Sequence, residues 1–258
     1  MILAGRVALV TGGGTGIGKA ISETFAGNGA RVALASRNPA HLERASEEFK
    51  RAELSCLTLQ MDVRKEEEVR RGAAKVKEAW GQIDILVNNA GISGLNRIDD
   101  PDDSRWRDIL ETNLTGAYLV TREVLKLMKS HAGGRIINVS SVLGKFGVAG
   151  YSAYCASKHG MIGFTRALAL EVAGRGITVN AICPGWVETE MARQGISESA
   201  AYEGLTVEEF RKRSIEAVPI RRFIDADEVA RLALYLASDQ AGGITGQAIN
   251  ICGGETMV

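Results

Sequence analysis

Thr11-Gly12-Gly13-Gly14-Thr15-Gly16-Ile17-Gly18-Lys19 is the stretch on which the fold turns. An apolar, β-branched run at residues 6–11 leads into it, and a helix-length amphipathic stretch at residues 16–27 leads out. A glycine turn in that setting brings backbone N–H groups up to an anion at the helix N-terminus, where the dipole favours negative charge. Gly12, Gly16 and Gly18, with Thr15 and Ile17 among them, therefore form a candidate pyrophosphate cradle, since side chains in place of the glycines would block the approach. A strand-to-helix turn can also need glycine for backbone reasons alone, and it is the strand before and the helix after that favour a nucleotide. The spacing is not GxGxxG, and no Lys-Ser or Lys-Thr follows the last glycine, which disfavours an NTPase phosphate loop.

Working outward, the alternation continues. Strand candidates recur at residues 31–36, 55–61, 83–88, 135–140, 178–182 and 247–251, with helical periodicity at 40–52, 65–80, 103–129 and 156–173. VALV at 7–10 and IDILV at 83–87 are too continuously apolar for a sheet with one wet face. The expectation is an α/β fold of Rossmann type: one doubly wound, seven-stranded parallel sheet with helices on both faces. No Pro-rich or Ser-rich linker and no repeat breaks the pattern, so residues 1–258 read as a single dinucleotide-binding and catalytic domain. The one long irregular insertion, residues 188–217, lacks a strand and reads as a substrate lid.

Composition narrows the function. Lys plus Arg and Asp plus Glu both number 31, so charge favours no nucleic-acid partner. No apolar run approaches the roughly 18 residues of a membrane span, and residues 1–6 carry no signal-peptide pattern, which makes a cytoplasmic location the expectation. Cys56, Cys155, Cys183 and Cys252 are widely spaced without a CxxC pair, suggesting reduced thiols and no metal site.

Tyr154 and Lys158 stand four residues apart near the start of a helical stretch and share a face. A nearby ammonium favours phenolate, so the expectation is a Tyr154 pKa drawn down from about 10 towards the working range. In isolation such a pair is usually a surface contact.

Four motifs in order give the pair a context: the glycine turn in the form TGxxxGIG, Asn88-Asn89-Ala90-Gly91 at the end of the fourth strand, Tyr154-Cys155-Ala156-Ser157-Lys158 as YxxxK, and Pro184-Gly185 closing the sixth strand. With them the chain resembles the short-chain dehydrogenase/reductase family over nearly its whole length. The resemblance implies hydride transfer between a nicotinamide cofactor and a carbonyl or secondary alcohol, without a metal. It implies catalytic roles for Ser141, 13 positions before Tyr154, for Tyr154 and Lys158, and for Asn113, which in relatives holds a water behind the lysine. It implies cofactor contacts at Gly12, Thr15, Gly16, Ile17, Gly18, Asn89, Ala90, Gly91, Tyr154, Lys158, Pro184, Gly185, Val187 and Thr189, with Asp62 and Val63 against the adenine. Without the family, Asp62 reads as a helix cap.

At the end of the second strand this chain offers Ser36 and Arg37 and no carboxylate. A cation there attracts the 2′-phosphate of NADP, where an acidic group would hold the free 2′-hydroxyl of NAD. NADP is therefore the expected cofactor, although Thr15 stands where many NADPH users carry a basic residue and Arg37 could be a solvated charge.

The central part, from Tyr151-Ser152-Ala153-Tyr154 through Gly176-Ile177-Thr178-Val179-Asn180, looks like 3-oxoacyl-carrier-protein reductases, and the tail from Gly246 to Gly254 also resembles aromatic polyketide ketoreductases. That implies a 3-oxoacyl thioester on acyl carrier protein or CoA. Arg175 matches a carrier-docking residue, the second docking arginine is replaced in the neighbourhood of His131 and Ala132, and Lys126 and Lys129 could substitute. Residues 142–148 with Trp186, Met191 and Tyr202 suggest an apolar wall. Oxidation of a small alcohol, sugar or hydroxyacyl-CoA stands as the alternative, with a catalytically silent nucleotide sensor behind it. The resemblance further implies a homodimer or homotetramer built on residues 103–129 and 156–173, with Gly160, Gly163, Ala167 and Ala169 permitting close helix approach.

Overall fold

The apolar runs become strands where their pattern placed them. In the computed structural model, which describes residues 1–129 and 133–258, these strands are β1 (Val7–Thr11), β2 (Arg31–Ser36), β3 (Cys56–Gln60), β4 (Ile85–Asn88), β5 (Arg135–Val139), β6 (Thr178–Pro184) and β7 (Ala248–Ile251). They form one sheet in the order β3-β2-β1-β4-β5-β6-β7, and every pairing is parallel.

Period-two alternation explains why the sheet is covered on both faces. Ala8 and Val10 of β1 point into one core, with Val32 and Leu34 of β2 and Ile85 and Val87 of β4. Val7 and Leu9 point into the other, with Ala33, Ala35 and Leu86. The first core is closed by α1 (Gly16–Gly27), α2 (Pro39–Arg51) and α9 (Ala226–Ala237) through Ile21, Phe25, Leu42, Phe49, Val229 and Leu236. The second is closed by α3 (Glu66–Trp80), α5 (Gly116–Leu125) and α6 (Ser152–Val172) through Val69, Val76, Val120, Val124, Leu168 and Val172. Each large apolar side chain removed from water contributes roughly 1.5–3 kcal/mol.

Two expectations change. The helix read over residues 103–129 is α4 (Ser104–Leu110), a π-helical turn (Glu111–Thr115) and α5, which ends at Leu125. The insertion at 188–217 is not irregular: it holds α7 (Glu190–Glu203) and α8 (Val207–Ala217). Thr189 caps α7 by accepting from the Ala192 N–H at 3.2 Å, and Thr206 with Glu209 forms a capping box on α8. Ile196, Ala200 and Phe210 of these helices join Phe223, beyond α8, in a small core against which Trp186 packs.

The chain leaves β1 towards β2 on one side, whereas β4 lies on the other. A crevice opens beyond the carboxyl ends of strands at such a reversal, and here the glycine turn after β1 faces the Asn89-Ala90-Gly91 turn after β4.

Candidate active site

The glycine turn is tight. Gly12 (φ +64°) and Gly16 (φ +51°) occupy the left-handed region, and a Cβ at Gly18 would lie 2.3 Å from both the Asn89 Nδ2 and the Gly12 carbonyl. Thr11 opens the turn: its hydroxyl donates to the Val87 carbonyl at 3.3 Å and accepts from the N–H groups of Asn89 (3.0 Å) and Ala90 (3.1 Å). The Asn89 amide returns bonds to the carbonyls of Thr11 and Gly12. This staple between β1 and β4 carries a residue type the motif contained but for which sequence reasoning gave no role. Thr15, the N-cap of α1, makes no side-chain cap bond, and no acidic residue stands in the first turn. The first N–H groups of α1 are thus left for an anion, and the turn fits the pyrophosphate of a dinucleotide.

Farther out, Ser36 accepts from the Asn38 N–H at 3.2 Å. Arg37 is exposed and borders a separate depression shared with Ser93, Met191 and Gln194. Its charge reaches Asp62, whose carboxyl is held below the usual range, first by hydrogen bonds from Arg64. Val63 is buried and fills the space a side chain at Gly116 would need.

At the inner end, α6 begins at Ser152, so both Tyr154 and Lys158 ride on its first turns. Ser141, at the end of β5, caps a 3-10 turn by accepting from the Leu143 N–H at 3.1 Å, and its hydroxyl acts on the Tyr154 phenol in the sense that lowers its pKa. The Lys158 ammonium donates to the Val139 carbonyl at 2.8 Å and sits 5.5 Å from the centre of the Tyr154 ring. Ser140, the neighbour of Ser141, instead donates to the Lys158 carbonyl at 3.0 Å and is structural.

The pKa expectation is corrected here. Burial pushes the Tyr154 phenol up to about 12, against the opposing hydrogen bond from Ser141, and burial pushes the Lys158 amine down to about 8. Both charged forms are disfavoured by the same enclosure, so the chain by itself holds Tyr154 as a neutral proton donor.

Asn113 lies in the π-helical turn and is fully buried. Its carbonyl accepts from the Ile92 N–H at 2.8 Å, and its amide donates to the Ile92 carbonyl at 2.9 Å and to the Ser157 hydroxyl at 3.0 Å. It braces the loop after β4 against α6, beneath the cavity. Single π-helical turns within α-helices are frequent at functional sites.

One cavity of about 480 Å³ brings together Gly12, Thr15, Gly16, Ile17, Asn89, Ala90, Gly91, Ser141, Tyr154, Lys158, Pro184, Gly185, Val187 and Thr189. Gly18, Ser36, Arg37, Asp62, Val63 and Asn113 lie outside its lining. Trp186, Met191 and Tyr202 do line it, as expected of an apolar wall, together with Leu95, Val142 and Phe146. Sequence reasoning missed the wall residues Ser199 and Glu255, which carry no motif. Arg175 donates to the carbonyls of Leu125 and Met128 at 2.9 and 3.1 Å, closing the end of α5. His131 and Ala132 lie outside the described residues.

Comparison with known proteins agrees with this geometry. The family model for short chain dehydrogenase matches residues 6–199. A putative ketoacyl reductase of Streptomyces coelicolor is 42% identical over 251 residues, covering 96% of each chain. An acetoacetyl-CoA reductase of Shinella zoogloeoides is 43% identical over 253 residues, covering 98% of this chain and 99% of its own. The crystal structure of a single-substitution variant of actinorhodin polyketide ketoreductase with NADPH superimposes with a TM-score of 0.91 at 42% identity, covering 97% of both chains. The chain therefore belongs to the short-chain dehydrogenase family of oxidoreductases.

Proposed function

We propose that this chain reduces the ketone of a 3-oxoacyl thioester or a related polyketide, with NADPH as the reductant. The observation that carries the reading is a single cavity with a glycine cradle at one end and Ser141, Tyr154 and Lys158 at the other, walled by Leu95, Val142, Phe146 and Met191. Such walls suit an acyl chain or fused ring better than a polyol. The relatives named for ketoacyl and acetoacetyl-CoA reduction point the same way.

The glycine turn and the N-terminus of α1 would hold the pyrophosphate, Arg37 the 2′-phosphate, Lys158 the nicotinamide ribose, and Val187 with Thr189 the carboxamide. When bound, the cofactor supplies the hydride that the carbonyl carbon accepts. The Ser141 hydroxyl donates to the carbonyl oxygen and stabilises charge as it grows there. Tyr154, kept protonated by its enclosure, gives that oxygen its proton, and the Lys158 ammonium beside the ring eases the loss of the phenolic proton. Asn113 positions the floor through Ile92 and Ser157.

Residues 188–217 serve as the lid. Support comes from their separate small core and from the few bonds that tie them down, among them the 2.8 Å contact between the Tyr151 and Ser199 hydroxyls and the 3.1 Å bond from the Leu95 N–H to Glu198. Coenzyme A or a carrier protein would present the acyl group; Arg175 is engaged with α5 and Lys126 with the Glu123 carboxylate at 2.7 Å, which leaves Lys129 as the nearby cation. α5 and α6 are proposed to pair with a second copy.

Titration with NADPH and with NADH, followed by nicotinamide fluorescence, tests the cofactor. NADPH is expected to bind more tightly, and Arg37→Ala to weaken NADPH by about 10- to 100-fold while sparing NADH. Preference for NADH would overturn the role of Arg37. Absence of NADPH oxidation with both 3-oxoacyl-CoA and 3-oxoacyl carrier protein would overturn the substrate.

A further inference from the structure

Glu255 follows Gly253 and Gly254 (φ +62° and +89°) just past β7. Its backbone is fixed by a 3.2 Å bond from its N–H to the Cys252 carbonyl. The residues after it are pinned as well: Asn250 donates to the carbonyls of Thr256 and Val258 at 3.1 and 3.2 Å, and Lys145 donates to the Val258 carbonyl at 2.6 Å. The side chain turns inward and joins the wall of the same cavity as Ser141 and Tyr154. Its Oε2 is closed off from solvent and has no hydrogen-bond partner among the described residues.

Room for this carboxyl is made by Gly185, where a Cβ would come within 2.6 Å of Oε2. Lys158, which lines the same cavity, donates to the Val139 carbonyl, and Lys145 donates to the carbonyls of Ala248 and Val258. Burial raises the Glu255 carboxyl above the usual range. An acceptor withdrawn from water with neither donor nor cation is costly to keep, and most of the surrounding wall is apolar.

We propose that the Glu255 carboxyl turns from Gly185 into the cavity to accept a hydrogen bond from a hydroxyl of the substrate, away from the reacting carbonyl, so that the favoured substrates are hydroxyl-bearing ketones. The inference rests on the carbonyl-reductase reading above and narrows its substrate class. A hydrogen-bonding site rejects analogues that lack the matching donor, because its own polar group is then left unpaired.

Kinetics with cyclohexanone, 3- and 4-hydroxycyclohexanone and 4-aminocyclohexanone, for wild type, Glu255→Gln and Glu255→Leu, test it, with NADPH affinity measured for each protein by fluorescence. Wild type is expected to favour a hydroxy ketone over cyclohexanone in kcat/KM by about 10- to 100-fold. That ratio falls to near one in Glu255→Leu and is partly kept in Glu255→Gln, whose amide oxygen still accepts, while NADPH affinity stays within about twofold. A ratio that is the same in wild type and variants overturns the inference. So does a loss of NADPH affinity with the ratio unchanged, which would assign Glu255 to the cofactor, and so does a preference for the aminoketone above both alcohols, which would assign an ammonium. If Glu255→Leu does not fold, the near-isosteric Glu255→Gln carries the comparison. Turnover of 3-oxoacyl-CoA with none of the four ketones reduced overturns the inference as well, whereas no NADPH oxidation with any of these five would instead sink the carbonyl-reductase reading itself.

Discussion

Tyr154 and Lys158 are driven in opposite directions by one cause. Enclosure disfavours phenolate and ammonium alike, raising one group to about 12 and lowering the other to about 8. Their four-residue spacing is visible in the sequence, but the sense of the Tyr154 shift is not, because desolvation depends on what β5 and the lid bring around the ring. If Tyr154 is the proton donor, Tyr154→Phe lowers kcat by about 10²- to 10⁴-fold with NADPH affinity largely kept, measured by steady-state rates and fluorescence titration. Lys158 permits a second expectation, about stability. Its folded value lies below the ordinary 10.5, so between about pH 8 and 10.5 the unfolded chain holds a proton that the folded chain does not, and stability rises with pH across that window. Below pH 8 the folded chain carries a buried ammonium whose hydrogen-bond partner among the described residues is a carbonyl. Lys158→Met should therefore melt higher than wild type at pH 7 without cofactor, the gap closing as pH climbs from about 8 to 10.5. A variant that melts lower at pH 7 would show that the bond to the Val139 carbonyl outweighs the burial cost.

At the scale of elements, strands were the most legible part, because two-sided burial writes them as uninterrupted apolar runs such as VALV. The break in the helix over 103–129 was not, since one extra residue in a π-turn leaves the apolar periodicity on either side nearly intact. α7 and α8 were hidden for another reason: they pack on a core of four buried side chains, one of them Phe223 beyond α8, instead of on the sheet, so no strand-and-helix alternation marks them. In the candidate site, motif residues were legible and wall residues such as Ser199 and Glu255 were not, because a wall is assembled by tertiary packing without fixed spacing. If residues 188–217 act as the proposed lid, their separate core should open as a unit. Tyr151→Phe removes the buried bond to Ser199 while keeping the ring, which costs about 0.5–1.5 kcal/mol of closure. The expected result is a KM for the ketone raised by roughly 2- to 10-fold and faster amide hydrogen exchange across 190–203 than in wild type. Unchanged exchange there would mean the contact does not hold the lid.

The molecule as a whole places its chemistry where the chain reverses direction in the sheet, and hangs Tyr154 and Lys158 on α6, whose far side faces outward. That outer face differs from the small-residue stripe read in the sequence. Gly160 packs on Leu114 within the chain and Ala169 belongs to the second core, whereas Gly163 and Ala167 are open and Leu170 is 83% exposed. Tyr118 of α5, 47% exposed, lies edge-on to Phe164 beside them. A leucine left this bare beside small residues suits close approach of a second copy, and in a symmetric pair the same residues would meet across the axis. The wild-type chain should then sediment at two or four times 27.6 kDa. Ala167→Arg would place like charges against each other at that axis and shift the mass towards one chain. Because α6 carries Tyr154 and Lys158 on its inner side, the separated chain should also lose activity in step with its loss of assembly as it is diluted. A wild-type mass of one chain, or an Ala167→Arg variant with the wild-type mass, would remove α6 from the interface.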